Sequence, residues 1–242
     1  METPVAVFKT IVVIPTYNER ANLEAMAQEL KGLGIQGLSL LVVDDNSPDG
    51  TGVVADRLAQ ADPEFVTVLH RPGKMGLGTA YVMGFRWALD HGADYIIEMD
   101  ADFSHPPETL WAFLKEIREY DVVVGSRYIK GGSLDPTWGM ARKLLSRSGN
   151  LYARLITGLP VMDVTAGFKC FRRQVLAAID LEHVRSEGFA FQVEMAYACH
   201  RKGFRTTEVP IHFVDRTQGH SKMSWKIVWE AFWRVLEMKR RY

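Results

Sequence analysis

Two hydrophobic rhythms alternate along the first half of the chain. Short β-branched runs that are apolar at nearly every position are separated by longer segments with apolar residues at helical spacing. Thr10-Ile11-Val12-Val13-Ile14, Leu38 to Val43, Phe65 to Leu69, Tyr95 to Met99 and Val122 to Gly125 read as strands. Leu23, Met26, Ala27 and Leu30 mark a first helix, ended by Gly32 and Gly34. Further helices are expected over 53–61, 79–91 and 108–119. Strands apolar on both faces belong in a parallel sheet covered by helices. The pattern therefore predicts an α/β fold, with a mostly parallel central sheet and helices on both faces.

The second half is less regular. Gly131 to Gly139 reads as a loop, and 142–155 as a helix with Leu144, Leu145, Leu151 and Leu155 on one side. Arg142, Ser146 and Gly149 lie on or near its other face. Residues 163–168 form a turn before another apolar stretch. A helix leads from Glu187 through Glu194 to His200, and a strand is expected over 207–213. A polar segment, Arg216 to Lys222, precedes a last amphipathic helix over 225–239. Trp225, Val228, Trp229, Phe232, Trp233 and Leu236 share one of its faces. That face is either core or a surface laid on a bilayer, with Lys239-Arg240-Arg241 against anionic headgroups.

Composition narrows the class. The 242 residues are 47% hydrophobic and 24% charged, enough for one sizeable domain. Lys plus Arg and Asp plus Glu balance at 29 each, so no global field points to nucleic acid. Cys170 and Cys199 stand apart in apolar surroundings, without metal-ligand spacing, as reduced core residues of a cytosolic protein would. No apolar run approaches the roughly 20 residues that span a bilayer. The N-terminus lacks a signal-peptide pattern. A cytoplasmic protein, soluble or peripheral to a membrane, is expected.

The candidate chemistry sits at strand ends, where open α/β sheets bind ligands. These ends carry Tyr17 and Glu19, Asp44 and Asp45, Asp100 and Asp102, and Ser126-Arg127. In an extended Asp-x-Asp the two carboxylates point to the same side. They repel unless a cation lies between them, and Mg²⁺ is commonly held by one or two carboxylates plus substrate phosphates. Taken alone, Asp100 and Asp102 read more readily as a turn cap and a helix cap. Four such strand ends together favour one site for a metal, hydroxyls and a phosphate. The Gly76-Leu77-Gly78 loop lacks both the P-loop and the dinucleotide fingerprint, which disfavours a nucleotide-binding dehydrogenase. It reads as a tight turn for close helix packing. Asp163 and Thr165 suit an Asx turn, with a place near a bound sugar as the alternative. His105, His200, His212 and His220 show no ligand spacing.

Pro15-Thr16-Tyr17-Asn18-Glu19, Val42-Val43-Asp44-Asp45-Asn46-Ser47-Pro48-Asp49-Gly50-Thr51, Met99-Asp100-Ala101-Asp102 with His105-Pro106-Pro107-Glu108, and Gly125-Ser126-Arg127-Tyr128 follow in a familiar order and spacing. The chain resembles the family 2 inverting glycosyltransferases, and more narrowly the dolichol-phosphate (polyprenol-phosphate) mannosyltransferases, over about 8–225. The resemblance implies a GT-A fold in a single domain over 1–242. That domain would comprise a nucleotide-binding half (about 8–128), an acceptor half (about 129–224) and the amphipathic helix.

The resemblance further implies transfer of mannose from GDP-mannose to a dolichyl or polyprenyl phosphate with inversion, or of another hexose from a UDP-sugar. It would place Pro15, Tyr17, Glu19, Val43 and Asp45 on the nucleotide. Asp100, Ala101 and Asp102 would hold Mg²⁺ or Mn²⁺ against the diphosphate, and Asp102 and Arg127 would act in catalysis. Ser104 stands where relatives often carry a glutamine that touches the metal. Arg142 and Ser146 would bind the acceptor phosphate, and Arg216 and Lys222 would close over the nucleotide. Relatives also imply peripheral contact with the cytoplasmic face of a membrane, or a small membrane-anchoring subunit.

Overall fold

A computed structural model describes residues 7–184, 186, 188–215 and 233–238. Parallel strands β1 (Thr10–Thr16), β2 (Leu38–Asp44), β3 (Val66–His70) and β4 (Tyr95–Glu98) alternate with helices α1 (Arg20–Gly32), α2 (Thr51–Ala61) and α3 (Leu77–Asp90). Helix α4 (Thr109–Glu116) and strand β5 (Val122–Ser126) follow. Side chains of a strand alternate between faces, and the core divides accordingly. Ile11 and Val13 join one apolar cluster with α3, while Val12 and Ile14 join a second with Leu23 and Met26 of α1. The expected helix face Leu23, Met26, Ala27 and Leu30 is buried.

Two glycines let α3 approach closely. A Cβ on Gly84 would stand 2.3 Å from Val13 Cγ1, and one on Gly78 would stand 2.6 Å from the Ser186 carbonyl oxygen. The glycine-rich loop thus leads into a tightly docked helix.

The second half corrects the sequence reading in three places. The apolar stretch after the 163–168 turn is strand β7 (Lys169–Arg172), inserted antiparallel between β4 and β5. The seven-stranded sheet therefore runs β3-β2-β1-β4-β7-β5-β8, with β8 (Thr206–Pro210) at its edge. The expected strand over 207–213 is broken at Ile211. Its last residues, β9 (His212–Phe213), leave the main sheet and pair with β6 (Ser133–Leu134), in a stretch that reads as loop.

The leucine side of α5 (Met140–Thr157) is largely exposed. Leu144 is 70% exposed and Leu155 74%, and the buried residues are Asn150, Ala153 and Thr157. Helices α6 (Arg173–Ala178) and α7 (Gly188–Arg201) complete the fold.

Of the last helix only 233–238 are described. There Val235 and Met238 are buried while Trp233 is exposed, so the aromatic face assigned from sequence is not the packed one at Trp233. Trp225, Val228, Trp229 and Phe232 lie outside the described residues. Among the described residues, no helix is long and apolar enough to cross a membrane.

Candidate active site

The strand ends meet in a cavity of about 540 Å³. Pro15, Tyr17 and Glu19 reach it from the end of β1, and Asp45 from β2. Asp100, Ala101 and Asp102 follow β4, Arg127 follows β5, and Arg142 and Ser146 project from α5. Two expected site residues stand elsewhere. Val43 is fully buried beneath α3 and does not line the cavity. Ser104 is also buried and absent from the wall, because Phe103 adopts the left-handed conformation (φ 62°) and turns the chain behind the acids. Ser104 instead donates its backbone N–H to Asp102 Oδ1 at 3.1 Å. Arg216 and Lys222 lie outside the described residues.

Asp100 and Asp102 give the cavity two carboxylates from one turn. Tyr81 donates to Asp100 Oδ1 at 3.1 Å, fixing its direction. Burial and the neighbouring Asp100 keep the Tyr81 phenol protonated, its pKa well above the ordinary value. Among the described residues no group of three acidic, histidine or cysteine side chains is placed to hold a metal. Two carboxylates fit a hard divalent cation whose remaining oxygens come from a diphosphate and water. They do not fit a dedicated protein cage.

Asp45 is organised by residues that the sequence reading passed over. Arg71, almost fully buried, donates to Asp45 Oδ1 at 2.6 Å, to the Gly76 carbonyl at 3.2 Å and to Thr79 Oγ1 at 2.5 Å. The Met75 N–H donates to Asp45 Oδ2 at 3.3 Å. Burial raises the Asp45 pKa, and Arg71 offsets this only in part. Arg71 thereby ties the glycine-rich loop to the end of β2. That loop places Lys74 in the cavity wall, its ammonium 4.3 Å from the centre of the Tyr17 ring.

The basic side of the cavity is held by carboxylates. Arg127 donates through Nε and Nη2 to Asp163, both at 2.7 Å, and through Nη2 to Thr165 at 2.8 Å. Its backbone N–H also reaches Asp163 at 3.0 Å. Burial opposes both charges, yet their pairing prevails: the Arg127 pKa is raised and that of Asp163 lowered. Arg127 thus pairs with neither Asp121 nor Glu119, its nearest acids in sequence. Asp163 is more than an Asx turn, since it orients this arginine, and Thr165 lines the cavity.

Arg142 stacks on Trp138 at 3.7 Å and donates to Asp215 at 2.6 and 3.1 Å. Ser146 shares a 2.7 Å hydrogen bond with the Tyr128 hydroxyl. The partners Asp163 and Asp215 are 36 and 73 residues away, so no local motif announces them.

Beneath the acids lies a buried polar group. Lys169 of β7 donates to Glu98 Oε1 at 2.7 Å, to the Ala166 carbonyl at 2.5 Å and to Gln192 Oε1. Burial, opposed by Lys169, pushes the Glu98 carboxyl up to about 7. His105 lies alongside and accepts the Asp100 backbone N–H at Nδ1, 3.1 Å away. Its ring stacks on Phe168 at 4.9 Å, and burial lowers its pKa. No local motif announces this network, since Glu98 and Lys169 are 71 residues apart.

Residues 11–180 match the family described as glycosyl transferase family 2. A polyprenol monophosphomannose synthase of Mycolicibacterium smegmatis is 45% identical over 230 residues, covering 95% of this chain and 86% of that protein. An undecaprenyl-phosphate mannosyltransferase of Micrococcus luteus is 48% identical over 223 residues, covering 92% and 90%. Among solved structures, a mannosyltransferase of Pyrobaculum calidifontis in complex with GDP-mannose and Mn²⁺ shares 18% identity at a TM-score of 0.65, covering 99% of this chain and 66% of that one. Glucosyl-3-phosphoglycerate synthase of Mycobacterium tuberculosis, with Mn²⁺, UDP and its product, reaches a TM-score of 0.67 at 17% identity, covering 97% and 79%. These two likenesses are of fold, the GT-A arrangement. The chain is a glycosyltransferase, and it belongs to glycosyl transferase family 2.

Proposed function

We propose that this enzyme transfers mannose from GDP-mannose to a polyprenyl phosphate with inversion, releasing GDP and polyprenyl β-mannosyl phosphate. The observation that carries the reading is one cavity joining Asp100 and Asp102 to Arg142 and Ser146 of α5. The names of the Mycolicibacterium and Micrococcus relatives support mannose as the sugar and a polyprenyl phosphate as the acceptor. Tyr17, Glu19 and Asp45 would bind the nucleoside. Asp100 and Asp102 would hold a divalent cation, Mg²⁺ or Mn²⁺, which when bound offsets charge on the departing diphosphate.

The acceptor phosphate is already anionic at neutral pH, so its attack on the anomeric carbon needs no general base. An acceptor oxygen forms the new bond to C1 as the bond from C1 to the GDP oxygen breaks, and the electron pair leaves with GDP. The protein's task is positioning and neutralisation. Arg142 and Ser146 would hold the acceptor phosphate, and Arg127, oriented by Asp163, would face it across the cavity.

The exposed apolar side of α5 supports a membrane-peripheral enzyme. Met140, Leu144, Leu151 and Leu155 stand outward on the helix that carries Arg142 and Ser146 inward. Such a helix would lie in the bilayer surface and bring the cavity to a lipid headgroup.

The test offers labelled GDP-mannose, UDP-glucose and UDP-N-acetylglucosamine in parallel, with Mg²⁺ or Mn²⁺ and a short polyprenyl phosphate. Lipid-soluble label from GDP-mannose alone, abolished by EDTA, is expected. Transfer only from a UDP-sugar would overturn the donor.

A further inference from the structure

We propose that His105 and Gln192 form the hexose subsite of this enzyme, each presenting an N–H donor of fixed direction to the hydroxyls of the transferred sugar. The inference rests on the sugar-transfer reading above and assigns the stretch of cavity wall which that reading leaves open. The hexose must lie between the diphosphate, at Asp100 and Asp102, and the acceptor phosphate, at Arg142. Among the polar side chains that line the cavity, that reading gives no role to His105, Thr165 and Gln192. Thr165 is engaged, accepting from Arg127 at 2.8 Å and donating to Asp163 at 3.2 Å.

The other two have their donor direction set by buried partners. A lysine ammonium only donates, so the Gln192 oxygen must face Lys169. The amide nitrogen, with two hydrogens, then lies on the other side. One of those hydrogens serves the Glu98 carboxyl, and the side chain lines the cavity wall. His105 accepts the Asp100 N–H at Nδ1, so in the neutral ring the proton sits on Nε2. That Nε2 has no hydrogen-bond partner among the described residues, and His105 lines the cavity. Phe168 and Phe213 hold the ring in place, at 4.9 and 6.0 Å.

Both groups border Gly167. A Cβ there would stand 3.4 Å from Gln192 Nε2 and 3.6 Å from His105 Cε1, so the absent side chain keeps the space beside both donors open. Hexose hydroxyls accept as well as donate, and two rigid donors at a fixed separation read their orientation. Discrimination among hexoses follows when a misplaced hydroxyl leaves a donor unpaired.

Calorimetric titration of GDP and of GDP-mannose, with Mn²⁺, into wild type, His105→Asn and Gln192→Met tests this. Asparagine keeps an acceptor for the Asp100 N–H but removes the Nε2 donor. Methionine keeps the length of residue 192 without the amide. The expected result is GDP affinity within twofold of wild type and GDP-mannose affinity at least fivefold weaker in each variant. Unchanged GDP-mannose affinity in both variants, or parallel loss of both ligands, overturns the proposal. If wild type binds UDP and UDP-glucose but no guanosine compound, the donor reading has failed. The same contrast with and without sugar, measured on the uridine pair, then decides the subsite separately.

Discussion

The two sides of the cavity are built on opposite plans. The donor side stands on the ends of β1, β2 and β4, central parallel strands whose register places Tyr17, Asp45, Asp100 and Asp102 around one opening. Its key groups are the acids Asp100 and Asp102, which in the proposed reaction would hold a divalent cation. The acceptor side stands on α5 and on the turns around β6 and β9, and its key groups are cations already paired with Asp163 and Asp215. On the proposed reading, the donor side would be complete only when a metal and a diphosphate arrive together. The proposed acceptor side would have to share or exchange its carboxylates as the phosphate arrives. Arg142, with Asp215 about one-third exposed beside it, can make that exchange, whereas Asp163 is fully buried and holds Arg127 permanently.

The largest expected effect follows from that difference in burial. Asp163→Asn leaves Arg127 without its counter-charge and should cost about 3–5 kcal/mol of stability, seen in denaturant unfolding. The folded-state pKa of Asp163 lies below its ordinary value of 3.8. The unfolded state therefore binds more protons there, and the contribution of this pair is fully present above that value. It is lost as pH falls through the lower folded pKa, and acid unfolding of the variant should show a shallower slope in that range. Equal stability of variant and wild type at pH 7 would mean that Arg127 is not locked.

On the donor side, Asp102→Asn should lower transfer by about 10²–10³-fold with an unchanged melting temperature, because the loss is one of charge at the diphosphate. Full activity with metal present would remove the acid pair from the mechanism. Arg142→Ala sharpens the comparison next. It should raise the acceptor KM by roughly 10–100-fold, in line with about 1.5–3 kcal/mol for a hydrogen bond to a charged group, and leave the GDP-mannose KM alone. A rise in both KM values would merge the two sides into one.

The smallest effect belongs to the outer face of α5. Leu144→Ser and Leu155→Ser should each change stability by no more than about 0.5 kcal/mol, yet together weaken sedimentation with vesicles of anionic lipid. A large fall in stability would place that face in a buried contact instead.

The same division explains what the sequence could disclose. In the first half, local rhythm and tertiary environment agree: strands buried on both faces are apolar throughout, and α1 shows its packed stripe directly. Of the acids at strand ends, Glu19, Asp45, Asp100 and Asp102 line the cavity, whereas Asp44 is buried and accepts from Thr16 and Ser47. In the second half they disagree. Strand β7 hides a lysine among core positions because its charge is matched by Glu98, and only the folded register brings the two together. Leu144, Leu151 and Leu155 share one side of α5 but face outward, which their spacing alone does not tell.

Pro15, Tyr17, Glu19, Asp45, Asp100, Asp102 and Arg127 lie in short local motifs, Arg142 and Ser146 share a helix face, and all nine line the cavity. Asp163 as the partner of Arg127, Asp215, Arg71 and Gln192 were not legible in the sequence, since their roles depend on contacts across the fold. Ser104 misled because its place in the motif says nothing of the left-handed Phe103 that turns it away.

The central claim is that the protein offers only half a metal site, two carboxylates that a nucleoside diphosphate completes. Titration of Mn²⁺ followed by electron paramagnetic resonance, with and without saturating GDP, tests it without reference to turnover. Weak binding of Mn²⁺ alone, tightened at least tenfold by GDP and abolished in Asp102→Asn, is the predicted result. Tight Mn²⁺ binding that GDP leaves unchanged, or no binding even with GDP, would contradict the account.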